Sequence, residues 1–307
     1  FVRQCHGDLH LRNIVLLDGK PTLFDAIEFN DDIACCDILY DLAFLLMDLW
    51  RHHLPAQANA LWNGYLGAAG DVSGLPLLPL FLSTRAAIGA KTAATAAALQ
   101  SSESRRRDLQ RESQDYLALA EQLLHPAAPC VVAVGGFSGS GKSTCAKAIA
   151  PVIGPAPGAV IIRSDEIRKQ LCGVEPLERL GPAGYTEAVN RRVYSAVRER
   201  AVAIVAGGHA VIADAVYARP SDRSDIEAVA GAAGLPFVGL WLDAPESVLV
   251  DRSASRRGDA SDAGAIVIRE QIARGTGPLT WVRIDAARAA ADVQDAARRA
   301  VLDEFQI

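Results

Sequence analysis

Apolar positions follow two different rhythms along the chain. Up to residue 124 they recur mainly at helical spacing, and the stretches 38–54, 56–66, 80–99 and 104–124 predict helices. From residue 130 onward, short continuous apolar runs alternate with helical patterns. The runs 130–134, 159–163, 210–214, 237–242 and a weaker 281–284 predict strands. The stretches 142–151, 165–171, 185–205, 219–233, 245–257, 263–274 and 286–305 predict the helices between and after them. Strands alternating with helices imply a parallel sheet flanked by helices, an α/β fold. Between the two rhythms lies His125-Pro-Ala-Ala-Pro129, whose prolines make a short, stiff connector. The expected domains are therefore a mostly helical 1–124 and an α/β unit over 130–307.

Composition agrees with two ordinary domains in 307 residues. Apolar residues at 50% and charged residues at 22% fit a soluble globular chain. Aromatics are only 6% and alanine is abundant, so the cores are expected to be helix-rich and packed with small residues. A net charge of −5 demands no polyanionic partner and disfavours nucleic acid. Arg105-Arg106-Arg107 reads either as a phosphate patch or as a solvated helix face. Cys5, Cys35, Cys36, Cys130, Cys145 and Cys172 contain no C-x-x-C pair, which predicts free thiols in a reducing cytoplasm. Asp41 and Asp48 interrupt one apolar stretch, and Pro76 and Pro79 another, so none reaches the ~18 residues of a membrane span. No membrane partner is expected, and no signal peptide is visible. The chain opens at Phe1 without a methionine and its first motif starts at His6, which reads as a truncated N-terminus. It carries no signal of oligomeric state.

The most specific chemistry lies in Gly136-Phe-Ser-Gly-Ser-Gly-Lys-Ser143, with Thr144 after it. This G-x-x-x-x-G-K-S pattern falls between a predicted strand and a predicted helix, the context that identifies a phosphate-binding P-loop. Gly136, Gly139 and Gly141 let the backbone curl so that its N–H groups face phosphate, with Ser138 and Ser140 among the binding residues, and the helix N-terminus adds partial positive charge. Lys142 is expected to reach the β and γ phosphates of ATP, and Ser143 to ligate Mg2+. The next strand runs into Asp165, which is placed either to accept a proton from an attacking hydroxyl or to cap the following helix. Arg168 lies one turn on and is suited to holding a phosphate. Asp214 closes the third strand, as a Walker B carboxylate does beside magnesium, with a turn-forming role as the alternative. Arg252 and Arg256 share a helix face, where they suit a transferring phosphoryl group or simply a solvated surface. Gly258-Asp-Ala-Ser-Asp262 follows as a lid-like loop.

Residues from about 130 to 307 resemble the small P-loop kinases related to gluconate kinase, zeta toxins and phage polynucleotide kinase, often grouped as AAA-family ATPases. The matching pieces are 136–144, Ser164-Asp-Glu-Ile-Arg168, 211–217 and 252–262. The resemblance implies a general base at Asp165, a substrate-phosphate contact at Arg168, and lid arginines at Arg252 with Arg256 or Arg257. No ring-forming AAA+ signature is present, so no hexameric motor is inferred.

The first part carries His6-Gly-Asp-Leu-His-Leu-Arg-Asn13, then Leu23-Phe-Asp25 beyond a predicted hairpin at Asp18-Gly-Lys-Pro21. An Asp followed five residues later by Asn, with a second Asp beyond, is a protein-kinase-like pattern. Asp8 fits the proton acceptor, Asn13 and Asp25 the metal ligands, and Glu28 is a fallback ligand. This part resembles the C-lobe of aminoglycoside phosphotransferase-like proteins, and Asp37 and Asp41 match an acidic motif whose implied role is structural. The glycine-rich cover and β3 lysine of a kinase N-lobe do not precede Phe1. The half is expected to be either a piece of a longer kinase or a non-catalytic remnant. The leading expectation is an ATP-dependent kinase acting on a hydroxyl of a small molecule. The alternatives are an ATP-hydrolysing regulatory module and a nucleic-acid 5′-hydroxyl kinase.

Overall fold

The computed structural model describes residues 1–175, 177–255, 260–262 and 264–306, with the backbone alone at Pro182. It divides into two compact units, Phe1–Ala127 with Pro155–Pro157, and Ala128–Gly154 with Gly158–Ile307.

The first unit begins with β1 (Val2–Gln4), followed by the hairpin β2 (Ile14–Leu17) and β3 (Lys20–Leu23). After α1 (Asp31–Ala34), β4 (Cys35–Asp37) pairs antiparallel with β1. Helices α2 (Ile38–Arg51), α3 (Pro55–Ala69), α4 (Leu78–Ala98) and α5 (Glu103–Leu124) complete it. The hairpin turn uses Asp18 and Gly19 at φ 52° and 74°, the left-handed pair that a two-residue turn requires. Helix α2 starts at Asp37, whose carboxylate accepts the Leu39 N–H. Ala86, Ala90, Ala93 and Ala97 form a buried stripe along α4, which lets α5 approach closely. Gly89 sits against the Tyr116 ring so tightly that a methyl there would come within 2.8 Å of it.

The second unit contains the expected parallel sheet. Its strands are β5 (Val131–Gly136), β6 (Val160–Arg163), β7 (Val211–Asp214), β8 (Phe237–Asp243) and β9 (Val282–Asp285). Their spatial order is β6-β7-β5-β8-β9, all parallel. The helices are α6 (Lys142–Ile149), α7 (Ser164–Cys172), α8 (Glu187–Ala206), α9 (Pro220–Ala233), α10 (Glu246–Ser255), α11 (Ala265–Arg274) and α12 (Ala290–Phe305). Every residue of β5 is buried, as expected for a central strand covered on both faces. On one face Val132, Val134 and Leu240 meet Ile149 of α6 and Val301 of α12. Burial pushes the Cys130 thiol up to about 12 and Cys145 to about 11, which leaves both protonated and inert.

Several boundaries differ from the sequence reading for local reasons. The helix expected from 185 begins at Glu187, because Thr186 caps it by accepting the Val189 N–H. The helix expected from 286 begins at Ala290, because Asp285 turns the chain by accepting the Ala287 N–H. Because the chain enters on β5, moves out to β6, returns to β7 and then crosses to β8, the order reverses around β5. The crevice at the strands' carboxyl ends therefore opens at the P-loop.

Candidate functional site

Gly136 ends β5, and the loop 137–141 leads into α6, whose first residue is Lys142. The loop takes this shape only with glycine at key points. Gly139 has φ 87°, and a Cβ there would lie 2.3 Å from the Leu249 carbonyl oxygen of α10. Gly141 has φ 93°, yet a Cβ on it would meet nothing within 4 Å, so the loop's mouth is open at the helix N-terminus. Ser140 Oγ is buried without a hydrogen-bond partner. The Lys142 ammonium donates to the Phe137 carbonyl at 3.1 Å, folding the side chain back over the loop.

Asp214, at the end of β7, is 4% exposed. Ser143 Oγ donates to its Oδ2 at 2.5 Å, and Arg163 Nε lies 3.6 Å from the same oxygen. Burial pushes the Asp214 carboxyl above its ordinary range, against the lowering pull of Lys142, Arg163 and Ser143; Asp165 adds a smaller upward push. Asp165 stands two residues beyond Arg163, which pairs with Asp214 in the sheet register. The capping alternative for Asp165 does not hold. Helix α7 starts at Ser164 with Arg163 in the cap position, so Asp165 lies inside the first turn, where the helix dipole favours its charge. The ends of three adjacent strands thus bring together the P-loop, Asp214 and Asp165.

Arg168 is buried, donates from Nη1 to the Gly184 carbonyl at 2.8 Å, and stacks over Tyr185 at 4.8 Å. Tyr185 in turn donates to Asp262 Oδ2 at 3.1 Å. The same carboxylate accepts the Leu180 N–H at 2.9 Å and pairs with Lys169 Nζ at 2.9 Å. Lys169 is 1% exposed and also bonds the Glu178 carbonyl. Burial raises the Asp262 carboxyl, but the Leu180 N–H, Lys169 and Tyr185 together hold it below its ordinary value. Burial likewise pushes the Tyr185 phenol up, with Asp262 and Asp165 adding to it.

Arg252 departs from the phosphate-facing role expected of it: its Nη1 and Nη2 donate to the carbonyls of Ala286 and Arg288 at 2.6 and 3.1 Å, pinning the turn after β9. Arg256 and Arg257, with Gly258 and Asp259 of the expected lid, lie outside the described residues.

Sequence reasoning missed three side chains here. Gln271 of α11 accepts the Ser138 N–H at 3.0 Å and donates to Ser138 Oγ at 3.2 Å. Lys169, the second, lies in a helix rich in charge, where nothing in the pattern marks it as buried. Arg223 of α9, 3% exposed, donates to the carbonyls of Tyr217, Ala218, Thr276 and Pro278, stitching the loop after Asp214 to the loop after α11.

In the first unit Asn13 Nδ2 donates to the Asp8 carbonyl at 2.9 Å and to Asp8 Oδ2 at 3.0 Å. His10 Nε2 is 3.3 Å from that Oδ2. Asp41 accepts the N–H groups of His6 and Gly7 at 3.1 and 2.9 Å, and Asp48, seven residues on along α2, accepts that of Leu11 at 2.9 Å. These two buried carboxylates hold the His6–Asn13 loop by its backbone. Asp25 and Glu28 are exposed, and Asp25 has φ 61°. Among the described residues no group of three or more His, Cys, Asp or Glu is arranged to hold a metal ion. Of the two expected metal ligands, Asn13 is bonded to Asp8, the expected proton acceptor, and Asp25 is exposed beyond the hairpin.

The chain also matches known proteins. Residues 131–278 match the family model of an AAA domain, AAA_33. An uncharacterised protein of Mycobacterium tuberculosis is 32% identical over 286 residues, 92% of this chain and 56% of that protein. The chain thus spans little more than half the length of such curated relatives. The adenylyl-sulfate kinase of Myxococcus xanthus is 28% identical over 117 residues, 38% of this chain and 59% of that enzyme. A gluconokinase structure from Sinorhizobium meliloti aligns at 23% identity with a TM-score of 0.42, covering 59% of this chain and 97% of that one. The second unit thus carries a P-loop between β5 and α6 and is similar over 131–278 to an AAA domain.

Proposed function

We propose that the second unit is an ATP-dependent kinase that transfers the γ-phosphoryl group to a hydroxyl of a small molecule. The observation that carries this reading is the meeting of Ser143 and Asp214 at 2.5 Å beside Lys142, with Asp165 two residues beyond the end of β6. A P-loop alone binds nucleotide; a second carboxylate on the acceptor side adds a group able to take a proton.

In this reading the N–H groups at the start of α6 and the Lys142 ammonium hold the phosphates. Ser143 and Asp214 fit a magnesium ion that arrives with ATP. They offer oxygen ligands from hydroxyl and carboxylate, and the absence of a larger acidic cluster among the described residues suits an ion that keeps phosphate and water ligands. Such an ion supplies charge neutralisation at the phosphates. Asp165 accepts the proton of the acceptor hydroxyl, and Arg168, braced by Tyr185, supplies positive charge on the acceptor side. The phosphate–oxygen bond to the leaving ADP breaks as the bond to the acceptor oxygen forms. The first unit is read as a phosphotransferase-like C-lobe on the strength of the Asp8–Asn13 pair and the hairpin that follows it, between Asn13 and Asp25.

The test compares Asp165→Asn with Lys142→Ala. Asp165→Asn is expected to bind ATP as the parent does and to transfer no phosphoryl group, whereas Lys142→Ala is expected to lose ATP affinity. If Asp165→Asn retains parental transfer to any acceptor the parent labels, Asp165 is not the base.

A further inference from the structure

Ser138 lies at the back of the phosphate loop, 7% exposed, and is gripped at two points by one side chain from α11. The backbone N–H can only donate, so the Gln271 carboxamide must turn its oxygen toward it. That orientation leaves the amide NH2 facing Ser138 Oγ, where it donates at 3.2 Å. Both ends of the carboxamide are thereby used, and the contact admits one rotamer and one flip.

The grip falls at a corner of the loop. The Ser140 N–H donates to the Phe137 carbonyl at 3.1 Å, closing a tight turn with Ser138 inside it. The next residue, Gly139, is wedged against the Leu249 carbonyl of α10. Helices α10 and α11 are tied to each other by Arg269 and Glu246 at 2.8 Å. The rear of the loop is therefore held by two helices that belong to neither the strand before it nor the helix after it. With its N–H committed to Gln271, Ser138 leaves phosphate binding to other N–H groups of the loop and of the start of α6.

We propose that Gln271 is a positioning residue of the nucleotide site, setting the shape of the phosphate loop through Ser138 without touching the phosphates. The inference rests on the P-loop binding ATP with magnesium, as argued above. Without Gln271 the Ser138 N–H is left buried and unpaired, and the turn is free to rotate away from the shape phosphate needs.

The test titrates ATP with magnesium into the full chain by calorimetry and records unliganded melting separately. Gln271→Met preserves length and bulk. It is expected to weaken ATP binding about tenfold, the loss of two hydrogen bonds, while the folded fraction and the unliganded melting cooperativity stay as in the parent. Ser138→Ala removes one of the two contacts and is expected to weaken binding less. In the Gln271→Met background it is expected to add nothing. Parental ATP affinity in Gln271→Met overturns the proposal. An equal loss from Ser138→Ala in both backgrounds overturns it too, because a direct phosphate contact behaves that way. Should Gln271→Met fail to fold, Gln271→Ala takes its place, alone and combined with Ser138→Ala, and parental affinity in Gln271→Ala refutes the proposal. A parent chain that binds no ATP sinks the nucleotide reading itself, a distinct result from a parent that binds while both variants match it.

Discussion

Replacing Asp214 with asparagine separates what the site costs the fold from what it does for ligand. Asp214 is 4% exposed, and its carboxyl is pushed upward even with Lys142, Arg163 and Ser143 pulling it down. Burial therefore outweighs its partners. Because the native carboxyl titrates above its ordinary 3.8, the native state holds an extra proton between the two values, so this group's contribution falls as pH rises through that window. Asparagine keeps an acceptor for the Ser143 hydroxyl and carries no charge to bury. Were the attraction of Arg163 and Lys142 dominant, losing the carboxylate charge would cost about 3–5 kcal/mol, a drop of roughly 6–20 °C for a domain of 150–250 residues. The account instead expects the unliganded melting temperature of Asp214→Asn at neutral pH to hold or rise. Ligand tells the opposite story. ATP with magnesium at about 100 times its Kd stabilises by ~2.7 kcal/mol, or roughly 5–11 °C, and Asp214→Asn is expected to lose most of that shift. Differential scanning fluorimetry with and without ATP and magnesium reads both numbers. A variant that melts more than 6 °C below the parent yet keeps the ATP shift would refute the reasoning.

Gly139→Ala forces a Cβ to within 2.3 Å of the Leu249 carbonyl at φ 87°, so the loop must deform; ATP-induced stabilisation should vanish in thermal melts. Asp262→Asn leaves Lys169 buried without its counter-charge and should cost about 3 kcal/mol in urea denaturation at pH 7. Since the native Asp262 carboxyl lies below 3.8, its stabilisation is complete above that value and is lost as pH falls through the depressed native value. The gap between parent and Asp262→Asn should therefore shrink on acidification toward pH 3. An unchanged gap contradicts the buried pairing.

The sheet was legible because its strands are buried on both faces, which writes them as apolar runs such as Val131–Val134. The site was legible where a polar residue ends such a run, as Asp214 does, or where glycines crowd before a lysine. The missed residues share a different property. Gln271 sits on a helix whose pattern says nothing of its partner 133 positions away. Lys169 reads as a surface charge, and only the return of Asp262 to α7 makes it buried. Arg252 shows the converse: a helix-face pairing suggested phosphate, yet the carbonyls of the turn after β9 take its hydrogen bonds. Asp48 was within reach of pattern reading, since it repeats Asp41 seven residues along an otherwise apolar helix face. What such a carboxylate holds depends on a loop far away in sequence, and periodicity carries no record of that.

Phosphoryl transfer itself is tested most directly by a radiolabelled γ-phosphate screen across hydroxylated metabolites, antibiotics and oligonucleotides, run with the parent chain and Asp165→Asn. The account predicts that the parent labels at least one small hydroxylated acceptor and that Asp165→Asn, binding ATP equally well, labels none. Hydrolysis of ATP at the same rate by both, with no acceptor labelled by either, would contradict it.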